Sequence, residues 1–139
     1  MKIAAAQLAK NLASMPLPAV IWLSGDEPLL VLEASDLIRA QAKKAGIEGR
    51  ISIDVDASFD GSELIAANQS LSLFGDRELI ELRMHAKFND KGRKALMEYI
   101  AQPNPDNLLV IVSNRLEAAQ TKAKWFLQVV AAGWWLPIW

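Results

Sequence analysis

Cysteine is absent from the 139 residues, which removes disulfides, thiolate nucleophiles and zinc-finger chemistry together and makes a reducing compartment, the cytoplasm, the natural setting. An excess of charge of either sign is missing as well, since fifteen basic residues stand against sixteen acidic ones and leave a net charge of -1. The domain as a whole then has no electrostatic reason to seek nucleic acid or anionic lipid, and DNA is expected to be met only indirectly, through a partner. No run of 18 apolar residues exists that would suit a membrane helix. The nearest approach, "WFLQVVAAGWWLPIW" (125–139), carries no charge but is cut by Gln128, Gly133 and Pro137, and reads as a buried helix followed by a buried strand. The first fifteen residues lack the long apolar stretch and small-residue cleavage site of a signal peptide; they read as a short amphipathic helix with Ile3, Leu8 and Leu12 on one side. Internal repeats, low-complexity tracts and linkers are absent, so one compact core is expected, and a domain near this length buries roughly 68% of the surface its unfolded chain exposes.

What is present is a hydrophobic period that switches repeatedly between strand and helix. "PAVIWLSG" (18–25) and "NLLVIVSN" (107–114) are continuous apolar runs of the kind that suits strands buried on both faces. "RISIDVD" (50–56) alternates, "RELIELRM" (77–84) is a third strand in chain order, and "WWLPI" (134–138) a last one. Between them lie helices. Residues 26–46 have acids and Pro28 in the first turn, Lys43 and Lys44 in the last, Gly46 as the stop, and Leu30, Leu37 and Ile38 in the apolar face. Residues 59–71 open on Asp60 and Glu63 at capping-box spacing. Residues 90–102 end at Pro103 and Pro105, and residues 117–133 form a single helix stopped by Gly133. Five strands alternating with four helices of crossover length predict an α/β domain, a mostly parallel five-stranded sheet with helices on both faces. A chain ending on Trp139, a large aromatic in need of cover, is expected to be a fragment cut at a domain boundary.

Ligands of open parallel sheets sit beyond the carboxyl ends of the strands, which directs attention to "LSGDEPLL" after the first strand. A phosphate-binding loop of the form G-x-x-x-x-G-K-[ST] needs a lysine and a Ser or Thr for magnesium. Here Gly25 is followed by Asp26 and Glu27 and no lysine appears before Lys43, so nucleotide hydrolysis is not expected. The acidic pair also suits a phospho-receiver domain, but the third strand ends in Arg83 and His85 without an acceptor aspartate, and no lysine follows a later strand. A degenerate receiver-like or P-loop signalling domain is the alternative from another class. The simpler role for Asp26 and Glu27 is to start a helix. His85, the one histidine, has no clustered Cys or acid and reads as a loop residue; Asp54 and Asp56 read as solvated. Lys87, Lys91, Arg93 and Lys94 around Phe88 suit a solvated loop better than a single-strand binding path, since no matching cluster extends it. Trp22, Trp125, Trp134 and Trp135 read as core. No metal, cofactor or catalytic residue is expected.

"SLSLFGDREL" (70–79) sets Leu73 and Phe74 side by side at a helix end before Gly75. Adjacent helical positions differ by about 100°, so one stripe cannot bury Leu71, Leu73 and Phe74 together, and at least one must point away from the sheet. Tucking under the next strand and presentation to a partner's pocket both remain open on this count. Taken in order, "LSGDEPLL", "SLSLFGDRELIELR", "KGRKALMEYI", "NLLVIVSN" and "KWFLQVVAAGWW" resemble the N-terminal domain of the delta subunit of bacterial DNA polymerase III, the clamp-loader subunit that opens the sliding clamp. The resemblance implies a Rossmann/P-loop (AAA+)-like first domain without a Walker A motif, not an enzyme by itself. It implies that Leu73 and Phe74 insert into a hydrophobic pocket of the clamp (the beta subunit), with Ser70, Ser72, Asp76 and Arg77 shaping the rim. It also implies a small helical lid domain and a C-terminal collar, absent from residues 1–139, through which other loader subunits assemble.

Overall fold

Valine, isoleucine and leucine run without interruption through two strands because both faces of those strands are covered. The structure, a computed structural model, describes residues 1–69 and 77–138. Its strands are β1 (Val20–Gly25), β2 (Ile47–Val55), β3 (Arg77–Met84), β4 (Asn107–Ser113) and β5 (Trp134–Ile138), and its helices α1 (Leu8–Ser14), α2 (Pro28–Lys44), α3 (Ser62–Gln69), α4 (Asp90–Ala101), α5 (Ala118–Thr121) and α6 (Lys124–Ala132). The sheet has the order β2-β3-β4-β1-β5 with every pairing parallel, the α/β architecture expected. Alternate residues feed two cores. Ile21, Leu23, Leu108 and Val110 pack under α1 and α2. Val20, Trp22, Leu109 and Ile111 face the opposite way, under α3, α4 and α6. The four expected tryptophans serve this packing: Trp22 meets Phe126 at 5.2 Å and Trp125 at 6.0 Å between ring centroids, and Trp135 meets Phe126 at 5.1 Å.

Several local expectations are corrected. The amino-terminal helix begins only at Leu8, and Ile3 is buried by another device: its N–H donates to Trp135 O at 2.8 Å and Trp135 N–H donates to Met1 O at 2.9 Å, so the first residues run along the outer edge of β5. The buried face of α2 is Val31, Ala34, Ser35, Ile38 and Ala42; Leu30 and Leu37 are 42% and 46% exposed. Small residues at 34, 35 and 42 let the helix lie close to the sheet, and the leucines about 100° away are turned outward. Asp26 and Glu27 do not bond to the α2 N-terminus through their side chains, because the helix starts at Pro28 and Asp26 is engaged elsewhere. Asp60 opens α3 through Ser62 rather than Glu63, its Oδ1 accepting the Ser62 N–H at 2.9 Å and hydroxyl at 2.7 Å, bonds that hold its carboxyl below the usual range. The single helix expected over 117–133 is two, with Ala123 extended (φ -65, ψ 138) between them. No glycine or proline marks that break. The docking of Trp125 and Phe126 against Trp22 sets the direction of α6. Gly46 does stop α2, at φ +89.

Candidate functional site

The carboxyl ends of β1, β3 and β4 meet at one edge of the sheet, where α/β ligands ordinarily sit. Asp26 Oδ1 accepts the Arg115 N–H at 2.9 Å and so ties the loop after β1 to the loop after β4. A Cβ on Gly25 would lie 2.1 Å from Ile138 O, so the β5 backbone runs directly against the place where a phosphate cradle would form. Close by, a cavity of about 420 Å³ is lined by Asp26, Ser35, Arg39, Arg83, His85 and Asn114. Its charges are spoken for: Arg39 pairs with Asp36 at 2.9 Å, Arg83 lies 3.5 Å from Asp54, and His85 Nε2 lies 3.0 Å from the same Asp54 carboxylate. Asp54 is thereby a paired residue as well as an exposed one. Asp56 is exposed and accepts the Ser58 hydroxyl and N–H, which lower its pKa. Among the described residues no three His, Cys, Asp or Glu side chains are grouped to hold a metal. Of the basic cluster, Lys87 pairs with Glu117 at 3.7 Å and Arg93 with Asp90, while Phe88 is buried against Trp22 and Trp125 at 6.0 and 6.2 Å. That ring is core and has no face to offer a base.

At the opposite, amino edge of the sheet α3 ends at Gln69 and β3 begins at Arg77. Ser70, Ser72, Leu73, Phe74 and Asp76, the residues expected to form the plug and its rim, lie outside the described residues, as does Trp139. What is described is how the two ends of the link are held. On the α3 side, Asn104 Nδ2 donates to Asn68 O at 3.2 Å, in the last turn of the helix, while Asn104 Oδ1 accepts the Asp106 N–H at 2.9 Å and its carbonyl accepts the Asn107 N–H at 3.0 Å. On the β3 side, Arg77 donates through Nη1 to Ala45 O at 2.8 Å and through Nη2 to Pro105 O at 3.2 Å, with Asp106 3.9 Å from Nε. The guanidinium of Arg77 thus reaches inward, onto the α2 C-terminus and the turn before β4. Both ends of the link rest on one turn, residues 103–106. Sequence reading noted only the two prolines of "PNPD"; the asparagine between them is the kind of residue that bonds its own backbone two positions on, a signal that was available.

Beside this corner, α3 and α4 leave a groove of about 440 Å³ lined by Leu64, Ile65, Asn68, Glu98, Tyr99 and Gln102. Tyr99 is 3% exposed and its hydroxyl has no hydrogen-bond partner among the described residues, and burial pushes its phenol up from 10 to about 12. A raised phenol pKa means that this stabilisation is complete below pH 10 and is lost as pH rises through about 12. Because Tyr99 is the one tyrosine, phenolate absorbance reports it alone. A spectrophotometric titration should show no ionisation near pH 10 in the folded chain and an ordinary pKa in denaturant; a midpoint at 10 in the folded chain would contradict the burial.

The sequence profile of the family described as "DNA polymerase III, delta subunit" matches residues 22–132. The chain is 32% identical over 121 residues to the DNA polymerase III subunit delta of Haemophilus influenzae, covering 87% of this chain and 35% of that protein. It is 30% identical over 115 residues to the Escherichia coli subunit of the same name, covering 79% of this chain and 32% of that one. It therefore spans about a third of the length of these curated relatives. A solved structure, the Bacillus subtilis DNA clamp loader delta protein, superposes with a TM-score of 0.70 at 20% identity, over 96% of this chain and 42% of that one, and so shares the fold.

Proposed function

The chain belongs to the DNA polymerase III delta subunit family, and on that premise we propose that it is the clamp-gripping domain of a clamp-loader delta subunit. Leu73 and Phe74 enter a hydrophobic pocket on the sliding clamp, the beta subunit, with Ser70, Ser72 and Asp76 around them and Arg77 anchoring the base of the corner. The observation that supports this most is the family match running through residues 22–132, which contains the "SLSLF" stretch. The inward bonds of Arg77 and Asn104 add to it, since they brace a corner at the edge of the sheet remote from the usual ligand position.

Burying a leucine and a phenylalanine stabilises a contact by roughly 1.5 to 3 kcal/mol each, about 3 to 6 kcal/mol together. Such a contact shifts the clamp toward its opened form by the difference in affinity for the two forms, and no more. The domain itself carries out no catalysis. ATP acts on other loader subunits, which assemble through regions that longer family members have beyond residue 139, and DNA is reached through the clamp. Calorimetric titration of the chain into the sliding clamp of its own organism tests the proposal. Saturable binding is expected, unaltered by ATP or magnesium; absence of binding, or a micromolar ATP affinity of the chain alone, would overturn it.

A further inference from the structure

We infer that Asn104 is a positioning residue for the clamp-binding corner, acting through α3 and never touching the clamp. The inference rests on the function proposed above and adds a residue to it. Asn104 spends its side-chain amide and its carbonyl on one task. Its Oδ1 and carbonyl fold the turn by accepting the N–H groups of Asp106 and Asn107, at 2.9 and 3.0 Å. This leaves Nδ2 aimed at Asn68 O, 3.2 Å away, one residue before the end of α3. Carbonyls in the last turn of a helix have no intrahelical partner, so a side-chain donor there fixes where the helix ends. Pro105, next in the chain, gives its carbonyl to Arg77, the first residue of β3. The same turn therefore sets both points between which residues 70–76 must run.

A short apolar anchor is only as effective as its placement, because a link whose ends wander loses ordering entropy on binding that a fixed one has already lost. Asn104→Asp is the discriminating substitution. An aspartate keeps the acceptor that the turn requires but has no donor for Asn68 O, and it brings a negative charge to the carbonyl end of α3, where charge of that sign is unfavourable.

The test is a double-mutant cycle on clamp affinity, using the parent chain, Asn104→Asp, the Leu73→Ala, Phe74→Ala pair, and the three changes together. Asn104→Asp is expected to lower affinity about tenfold while the folded circular dichroism spectrum is retained, and to lower it no further when the apolar pair is already removed. Hydrogen exchange should quicken in the last turn of α3, at the amides of residues 66–69. If Asn104→Asp binds as the parent does, or if its effect persists in full without Leu73 and Phe74, the positioning role is wrong even though the clamp proposal stands. If the apolar pair alone has no effect on binding, it is the clamp proposal that fails. Should Asn104→Asp lose its fold, Asn104→Ser, which keeps an acceptor for the turn and also lacks the reach to Asn68 O, carries the same expectation.

Discussion

Replacing Leu73 and Phe74 together by alanine is expected to leave the chain folded and to weaken the proposed binding to the sliding clamp by about two to four powers of ten. The size follows from transfer energetics: the two side chains contribute roughly 3 to 6 kcal/mol when buried, and each factor of ten in affinity is about 1.4 kcal/mol. Retention of the fold follows from where the core lies. Trp22, Leu64, Leu82, Leu96, Leu109 and Phe126 are all buried within one layer, and Ile21, Leu23, Ile38 and Leu136 within the other, two cores large enough to hold the fold. Equal affinity in parent and variant would show that the pair is not the plug. An unfolded variant would show that the pair belongs to the core.

Trp22→Ala has the opposite profile and the largest expected cost in stability, about 3 to 5 kcal/mol. Trp22 is 1% exposed on the interior strand β1, and its ring stands edge-on to Phe126 at 5.2 Å and to Phe88 at 6.0 Å. Its Nε1–H also donates to Ser113 Oγ at 2.9 Å across the β1–β4 pair, and that hydroxyl in turn donates a hydrogen bond to Asn114 O at 2.9 Å. Truncation removes the ring from a cluster with nothing to refill it and leaves the Ser113 oxygen without its donor. Urea titration checks this: the midpoint should fall with the slope unchanged. A loss below about 1 kcal/mol would mean that the cluster closes over the gap, contrary to the close packing described.

Strands β1 and β4 were legible in the sequence because burial on two faces writes itself as an unbroken apolar run, and β3 also lies where Arg77–Met84 suggests although Glu78, Glu81 and Arg83 interrupt it. Choice of helix face was less so. Leu30, Leu37 and Ile38 are equally hydrophobic, and only contact with the sheet shows that the small residues Ala34 and Ala42 choose the side that carries Ile38. The break at Ala123 has no local signal at all, since docking of aromatic rings from distant strands decides it. As for the candidate site, Leu73 and Phe74 could be noticed but not assigned by periodicity; the role proposed for them comes from likeness to a family, and they lie outside the described residues. The bracing was invisible for a different reason. Asn104 meets Asn68 across 36 residues and Arg77 meets Pro105 across 28, and neither spacing belongs to any local rule.

The central claim is that the side chain at position 74 leaves this chain to enter the clamp. Phe74 replaced by a photoreactive benzoylphenylalanine, mixed with the clamp and irradiated, tests it at the level of the atoms involved. The account predicts a cross-link that mass spectrometry maps to apolar residues of a pocket on the clamp and that excess parent chain suppresses. Cross-links formed only within the chain, with none to the clamp at saturating concentration, would contradict it.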